Sequence, residues 1–307
     1  MSEETPELNV VTGAFGYTGR YIAGQLLSTG IRVRTLTGHQ ERHNPFGQQI
    51  SIAPLNFNDP AGLTENLRGA TTLYNTYWIR FNHGTETFER AIANSIALIG
   101  AARSAGVSRI VHISITNPSR ESPLPYFEGK AIVEQAIIDS GLSYAILRPA
   151  LIFGREDILI NNIAWLLRRI PVFIVPGKGD YLLQPVYVED LAGLATSAGR
   201  GHDNVIFDAL GPETYTFDQL VRLIADTVKS RTRAVHLRPG VALLASKVLG
   251  LLIGDAMLTR DEIEGLNSNL LVSRQPVNGH TRLSDWLRQN AEQIGAAYVS
   301  ELRRHYR

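Results

Sequence analysis

Through the first 150 residues the apolar positions switch repeatedly between a period of two and a period near 3.6. A β-branched run, Val10-Val11-Thr12, enters Gly13-Ala14-Phe15-Gly16-Tyr17-Thr18-Gly19-Arg20, and apolar residues then recur at Tyr21, Ile22, Leu26 and Leu27. That spacing predicts a strand, a tight turn and an amphipathic helix. Residues 31–36 and 49–55 predict second and third strands, and Asp59-Pro60 predicts the cap and first position of a short helix ending at Leu67. Residues 71–78 predict a fourth strand. Phe88, Ile92, Ile96 and Ile99 mark a long helix over 85–104, residues 109–115 a fifth strand, 129–140 a helix and 144–149 another strand. Strands alternating with crossovers long enough for helices imply an α/β chain with a doubly wound parallel sheet, whose ligands sit beyond the carboxyl ends of the strands.

Past residue 150 the alternation loosens. Leu151-Ile152-Phe153-Gly154 leads to an apolar segment over 158–167, closed by Arg168-Arg169 and a turn-rich Pro176-Gly177-Lys178-Gly179-Asp180. Strands are expected over 204–210 and 234–237, with a helix capped by Thr216 between them. This predicts a dinucleotide-binding domain over 1–150, joined again by parts of 180–210, and a smaller substrate or partner region over 151–307. The 158–167 segment, rich in Ile, Leu and Trp, is expected to cover the sheet as core, with lining a substrate cleft as the alternative. Residues 241–253 are apolar around most of a helix circumference yet too short to span a bilayer. Core burial is the default expectation for them, and contact with a membrane surface or a protein partner is the alternative.

The chemistry begins at the first turn. Gly13 can adopt backbone angles closed to other residues, Gly16 lets a diphosphate approach, and Gly19 lets the helix lie close to the strand. Amides at the helix start, with the helix dipole behind them, favour an anion, so the expected ligand is a dinucleotide pyrophosphate. Phe15 and Tyr17 within the turn and Thr76 near the fourth strand complete that expected wall. Composition narrows the alternatives. The 307 residues contain no cysteine, which excludes disulfides and thiolate chemistry, and the eight histidines are dispersed without metal-ligand spacing. A net charge of +1 with mixed signs offers no footprint for nucleic acid. No run of about 18 apolar residues occurs and the acidic start lacks a signal-peptide form, so a cytoplasmic protein is expected, with peripheral membrane contact through 241–253 as its variant.

A second constellation follows the fifth strand. Tyr126-Phe127-Glu128-Gly129-Lys130 places a phenol and an ammonium four residues apart, on one face of a helix. Beside a nicotinamide, the lysine would favour the phenolate and hold ribose hydroxyls while the tyrosine passes a proton. Ser114 and Thr116, sharing a facing by strand alternation, are the candidates to orient the reacting oxygen.

Together with Leu147-Arg148-Pro149-Ala150-Leu151-Ile152-Phe153-Gly154 and Pro185-Val186-Tyr187-Val188-Glu189-Asp190-Leu191, these motifs resemble extended and atypical short-chain dehydrogenases. The similarity covers nearly the whole chain and is greatest toward the NmrA-like group and bacterial relatives of the 39 kDa accessory subunit of respiratory complex I, often described as NAD-dependent epimerase/dehydratase. The resemblance implies a Rossmann fold with NAD(H) or NADP(H), pyrophosphate contacts at Gly13, Gly16 and Gly19, and Tyr126 as acid/base assisted by Lys130. The chain departs from the family pattern at three points. Ser114-Ile115-Thr116 puts Ile115 where a catalytic hydroxyl is usual; Thr37-Gly38-His39 replaces the acidic residue at the end of the second strand; and Asn56, followed by Phe57, stands for an adenine-contacting aspartate. Without that carboxylate a ribose 2′-phosphate is tolerated, and Thr37, His39 and Arg42 can supply donors and charge, so NADP(H) is expected over NAD(H). Two functions follow: an oxidoreductase or epimerase acting on a carbonyl or alcohol, within a nucleotide-sugar or quinone-related small molecule, or a non-catalytic NADP(H)-binding assembly or regulatory protein.

Overall fold

The computed structural model describes residues 7–255 and 258–305. The acidic lead up to residue 6 lies outside them, as does the side chain of Leu252. The chain divides into two compact units, one formed by residues up to 148 together with 191–207, the other by 149–190 and 208–307.

The first unit is built on strands β1 (Leu8–Thr12), β2 (Arg32–Thr37), β3 (Ile50–Pro54), β4 (Thr72–Asn75), β5 (Arg109–Ile113) and β6 (Ser143–Pro149), interleaved with helices α1 (Tyr17–Ser28), α2 (Pro60–Leu67), α3 (Phe88–Ser104) and α4 (Pro125–Asp139). The pairs β3–β2, β2–β1, β1–β4, β4–β5 and β5–β6 are all parallel. With a last strand from later in the chain, the sheet has seven strands, in the order last strand, β6, β5, β4, β1, β2, β3. The order reverses at β1, so the crevice beyond the carboxyl ends of β1 and β4 is the natural ligand position. β1, β4 and β5 are buried along their whole length, as strands covered on both faces should be. Leu36, Leu63, Leu67, Leu73, Leu98, Ile110, Val133 and Ile146 form one continuous core there.

Local signals place the helices. Asp59 accepts from the Gly62 amide and caps α2, with Pro60 at its first position; Thr87 accepts from the Arg90 amide and caps α3. Helix α4 starts at Pro125, four residues before the start predicted from its apolar spacing, because Leu124 and Pro125 set an extended cap followed by a preset φ. Tyr126 therefore sits in the first turn and Lys130 one turn on. β4 stops at Asn75, so Thr76, Tyr77 and Trp78 leave the sheet, and β5 stops at Ile113, so Ser114 and Thr116 lie beyond the strand.

The second unit contains β7 (Leu151–Phe153), α5 (Leu159–Arg169), β8 (Val172–Pro176), β9 (Leu182–Leu183) and β10 (Pro185–Tyr187). Helix α6 (Val188–Arg200) then carries the chain to β11 (Val205–Ala209), the last strand of the large sheet. The chain continues through β12 (Tyr215–Thr216), α7 (Phe217–Thr227), β13 (Arg233–Leu237), α8 (Pro239–Ile253), α9 (Arg260–Asn267), α10 (Leu283–Gln289) and α11 (Glu301–His305). Three strand pairs, β7–β10, β8–β13 and β9–β12, frame a core of Phe153, Ile160, Ile163, Leu167, Phe217, Leu220 and Trp286. Helix α5 buries its apolar face in that core, as its composition predicts. Helix α7 begins with a full capping box between Thr216 and Gln219.

Helix α8 corrects the default expectation of core burial for 241–253. Ala242 and Gly250 are buried, but Val241 is exposed at 51%, Leu244 at 64%, Val248 at 53% and Leu251 at 84%. Apolar periodicity shows that a face wants cover without showing which protein surface, if any, supplies it. Among the described residues no helix is long and apolar enough to cross a membrane.

Burial predicts opposite outcomes for two truncations. Phe153→Ala removes a fully buried ring that packs on Tyr187 and Trp286 and should cost about 3–5 kcal/mol, whereas Leu251→Ala should stay within about 0.5 kcal/mol. Denaturant midpoints of the two variants check this, and a comparable loss in both would place Leu251 inside a core.

Candidate functional site

The turn after β1 is a tight backbone cradle. Gly13 takes φ +66°, the Gly16 amide donates to the Gly13 carbonyl at 2.8 Å, and the Gly13 amide donates to the Leu36 carbonyl at 2.8 Å. A Cβ on Gly19 would stand 2.5 Å from the Gly13 carbonyl oxygen, so only glycine lets α1 come this close to β1. Gly16 caps α1 without any side-chain hydrogen bond, and the first turn holds no acidic residue. The leading amides of a twelve-residue helix thus face the crevice with no carboxylate competing for them, which fits a diphosphate.

Thr12 and Thr76 brace the cradle. The Thr76 amide donates to Thr12 Oγ1 at 2.7 Å, Thr76 Oγ1 donates to the Thr12 carbonyl at 2.6 Å, and the Ala14 amide donates to Thr35 Oγ1 at 3.0 Å. Thr76 Oγ1 is also the side-chain atom nearest a Cβ built on Gly13, at 3.7 Å. Phe15 and Tyr17 are half-buried on the turn, and Tyr17 meets Tyr21 edge to face at 6.1 Å. At the end of β2, Thr37 Oγ1 accepts from the His39 amide at 3.0 Å, His39 pairs with the exposed Glu41 at 3.5 Å, and Arg42 is half-buried. Asn56 spends its Oδ1 on the Asn58 amide, in an exposed turn leading to α2, while Phe57 packs on Tyr77 with ring centroids 4.9 Å apart.

The ends of β4 and β5 and the start of α4 make the second half of the site. Lys130 is 3% exposed; its Nζ donates to the Ile113 carbonyl at 2.8 Å and lies 4.7 Å from the centre of the Trp78 ring. Burial pushes this ammonium down to about 7, with Glu134 acting in the opposite direction. The Trp78 ring also meets Tyr126 edge to face at 6.0 Å, and Phe88 meets Tyr126 at 6.1 Å. Gly129 leaves the room, since a Cβ there would fall 2.9 Å from Trp78 Cη2. Trp78 Nε1 is buried without a hydrogen-bond partner among the described residues. Tyr126 and Lys130 therefore share one helix face, as their spacing predicts, and one indole touches both.

Beneath them lies a group the sequence pattern did not single out. His112 is fully buried, and its Nδ1 stands 3.2 Å from Asn75 Nδ2. The Tyr77 amide donates to Asn75 Oδ1, which turns the amide nitrogen of Asn75 toward the ring. Nδ1 is then the acceptor and the imidazole proton sits on Nε2, which has no partner among the described residues. Burial, and then the Lys130 charge, hold His112 well below the ordinary histidine range. A lone histidine inside a strand shows no pattern that distinguishes it; only the Lys130 neighbourhood reveals it.

The hydroxyl candidates separate. Ser114 Oγ donates to Glu134 Oε1 at 2.5 Å, and Arg148 grips both oxygens of the same carboxylate, its Nε at 3.0 Å from Oε1 and its Nη2 on Oε2. Ser114 is thus committed to a buried ion pair joining α4 to β6. Glu134 lies one turn beyond Lys130, and Arg148 lies within the Leu147–Gly154 stretch, so both carry a sequence signal of position though not of partnership. Thr116 is fully buried in the segment after β5, and Ile115 is buried at 8% exposure. Among the described residues no cluster of three or more His, Asp or Glu could hold a metal.

Residues 13–157 match the family model described as NAD(P)H-binding. That stretch holds the glycine cradle, Tyr126 and Lys130. The chain is homologous to accessory subunits of complex I: it is 26% identical over 283 residues to the mitochondrial NADH dehydrogenase [ubiquinone] 1 alpha subcomplex subunit 9 of Arabidopsis thaliana, covering 86% of this chain and 70% of that protein. It is 29% identical to a (4-alkanoyl-5-oxo-2,5-dihydrofuran-3-yl)methyl phosphate reductase of Streptomyces griseus, over 67% of this chain and 69% of that one. Its fold matches the NADP(H)-complexed triphenylmethane reductase of Citrobacter with a TM-score of 0.73 at 19% identity, covering 92% of this chain and 99% of that one. The NADPH-complexed quinone oxidoreductase of Escherichia coli matches with the same TM-score and coverage at 24% identity. The Rossmann-like fold of these two structures is thus also this chain's, and the family match supports a nicotinamide cofactor.

Two predictions follow from this geometry. Gly19→Ala should force α1 off β1 and weaken NADP(H) binding by about ten- to a hundredfold, read by calorimetric titration; unchanged affinity would remove the cradle from the site. His112 and Lys130 both bind fewer protons folded than unfolded, so folding strengthens as pH rises through each gap. The His112 contribution is lost as pH falls below 6.5, and relief of the buried Lys130 charge accrues between about 7 and 10.5. In the ligand-free protein Lys130→Met should flatten the rise in denaturation midpoint over that upper window, and parallel profiles would show that Lys130 titrates normally.

Proposed function

We propose that the chain is an NADP(H)-dependent reductase of a carbonyl group, with Tyr126 as the proton donor. One observation supports this above the others: Lys130 is buried at the carboxyl end of β5, one turn after Tyr126 and on the same face of α4. In a parallel sheet that end is also the end at which the Gly13–Gly19 cradle opens. The nicotinamide, when bound, supplies the hydride. Gly16 and the first amides of α1 bind the diphosphate, and Thr76 lines the turn. Lys130 places positive charge beside the phenol, which favours its anion and so eases transfer of the phenolic proton to the reacting oxygen. Thr116 is the hydroxyl assigned to orient that oxygen, because Ser114 serves Glu134. The preference for NADP(H) rests on the absence of a carboxylate at the end of β2 and on His39 and Arg42 nearby.

A second reading has one observation in its favour. The Ser114–Glu134–Arg148 network leaves the strand-end serine structural, which suits a protein that keeps the dinucleotide without turning it over. Native mass spectrometry for bound dinucleotide, joined to NADPH oxidation against a panel of ketones and quinones, separates the two. Tyr126→Phe should lower turnover by about 10²–10⁴ with unchanged NADPH affinity. Turnover indifferent to that change would remove Tyr126 from the chemistry, and a tightly bound, redox-inert cofactor would favour the second reading. Arg42→Ala should weaken NADP(H) but leave NAD(H) unaffected, and tighter binding of NAD(H) by the unmodified chain would end the proposed preference.

A further inference from the structure

The exposed apolar residues of α8 are not scattered. At 3.6 residues per turn, Val241, Leu244, Val248 and Leu251 fall within an arc of about 80°. They form one stripe along a helix of 15 residues, roughly 22 Å long. Val172 and Val235, exposed at 45% and 40% on the β8–β13 pair that α8 contacts, add to the apolar surface.

Charge decides what this stripe fits. From Thr227 to Gly254 the chain carries no acidic residue and five cations, Lys229, Arg231, Arg233, Arg238 and Lys247, although the chain as a whole is only +1. The rest of the molecule is therefore net negative. All five cations are exposed and none makes an ion pair with a described residue. Lys247 lies about 40° beyond Leu251 around the helix, at the edge of the stripe, where its ammonium can stay in water while its stem lies along apolar surface. A second copy docked stripe to stripe would set like charges together. A surface of opposite charge with an apolar layer just beneath it meets both requirements, and a helix with one apolar arc bordered by Lys and Arg lies in the plane of such a surface.

We propose that α8, with the basic segment leading into it, docks this protein on anionic lipid bilayers. Helix α8 enters the headgroup region stripe first, and the five cations face the phosphates. The proposal is independent of the dinucleotide chemistry, which uses none of these residues.

Flotation of the full chain with phosphatidylcholine vesicles, with and without phosphatidylglycerol, tests it. Binding is expected to the anionic vesicles alone, weakened by added salt. Replacing Arg233 or Arg238 by Gln should weaken it about fivefold per cation removed. Leu244→Glu with Leu251→Glu should reduce it to the level seen with neutral vesicles while thermal unfolding and NADP(H) binding stay unchanged. Equal flotation with both vesicle types, or binding that survives the two glutamates, would overturn the proposal. A concentration-dependent dimer abolished by the same glutamates, without vesicle binding, would overturn it too and assign the stripe to a second copy.

Discussion

The close approach of α1 to the end of β1 is the constraint on which the candidate dinucleotide site depends. At Gly19 the helix lies so near the Gly13 carbonyl that a single added carbon would collide with it, and the positive φ of Gly13 turns the chain into that position. Two threonine hydrogen bonds then bind the ends of β1 and β4 together, so the cradle is held from the side as well as from below. Because the helix start is capped by no side chain and its first turn bears no carboxylate, its amides and dipole are left for an anion. The candidate phosphate site is thus a property of backbone geometry.

The second half of the site is electrostatic in character. Lys130 and His112 are both buried bases; burial disfavours the charged form of each, and the Lys130 charge further disfavours that of His112. Glu134 opposes the shift at Lys130, while Arg148 holds both of its oxygens and Ser114 donates to one of them. Trp78 covers the ammonium with an aromatic face, and Gly129 provides the space it needs. Such an arrangement keeps an ammonium proton loosely bound in a fold where a surface lysine would hold it firmly. Ser114 belongs to this network through its bond to Glu134: a buried carboxylate needs its hydrogen bonds, and removing one partner from such a pair is costly.

The second unit follows different rules. Its core is a set of short strand pairs wrapped by α5, α7 and α10 around Phe153 and Trp286, and its ends are tied by backbone carbonyls of residues 291–296 accepting from Arg168 and Arg169. Those two arginines serve the fold. Among the described residues the cations between Lys229 and Lys247 have no such internal ion-pair partner, and they flank the exposed apolar surface of α8.

The order of strands and helices in the first unit was legible because two signals agree there: period-two apolar runs end at glycines or caps, and period-3.6 runs begin at Asp59, Thr87 or Gly16. The glycine spacing determined the cradle, since only glycine permits the contact that the turn requires, and four-residue spacing determined that Tyr126 and Lys130 share a face. Tertiary structure alone decided the partners of each side chain. Ser114 pairs with a helix 20 residues on, His112 meets Asn75 across two strands, and Trp78 leaves the sheet early to lie on Gly129, none of which a local period encodes. It also decided that α8 stays uncovered: an apolar helix states its need for a surface, but whether the protein provides one depends on how much core remains for it after the other elements have packed.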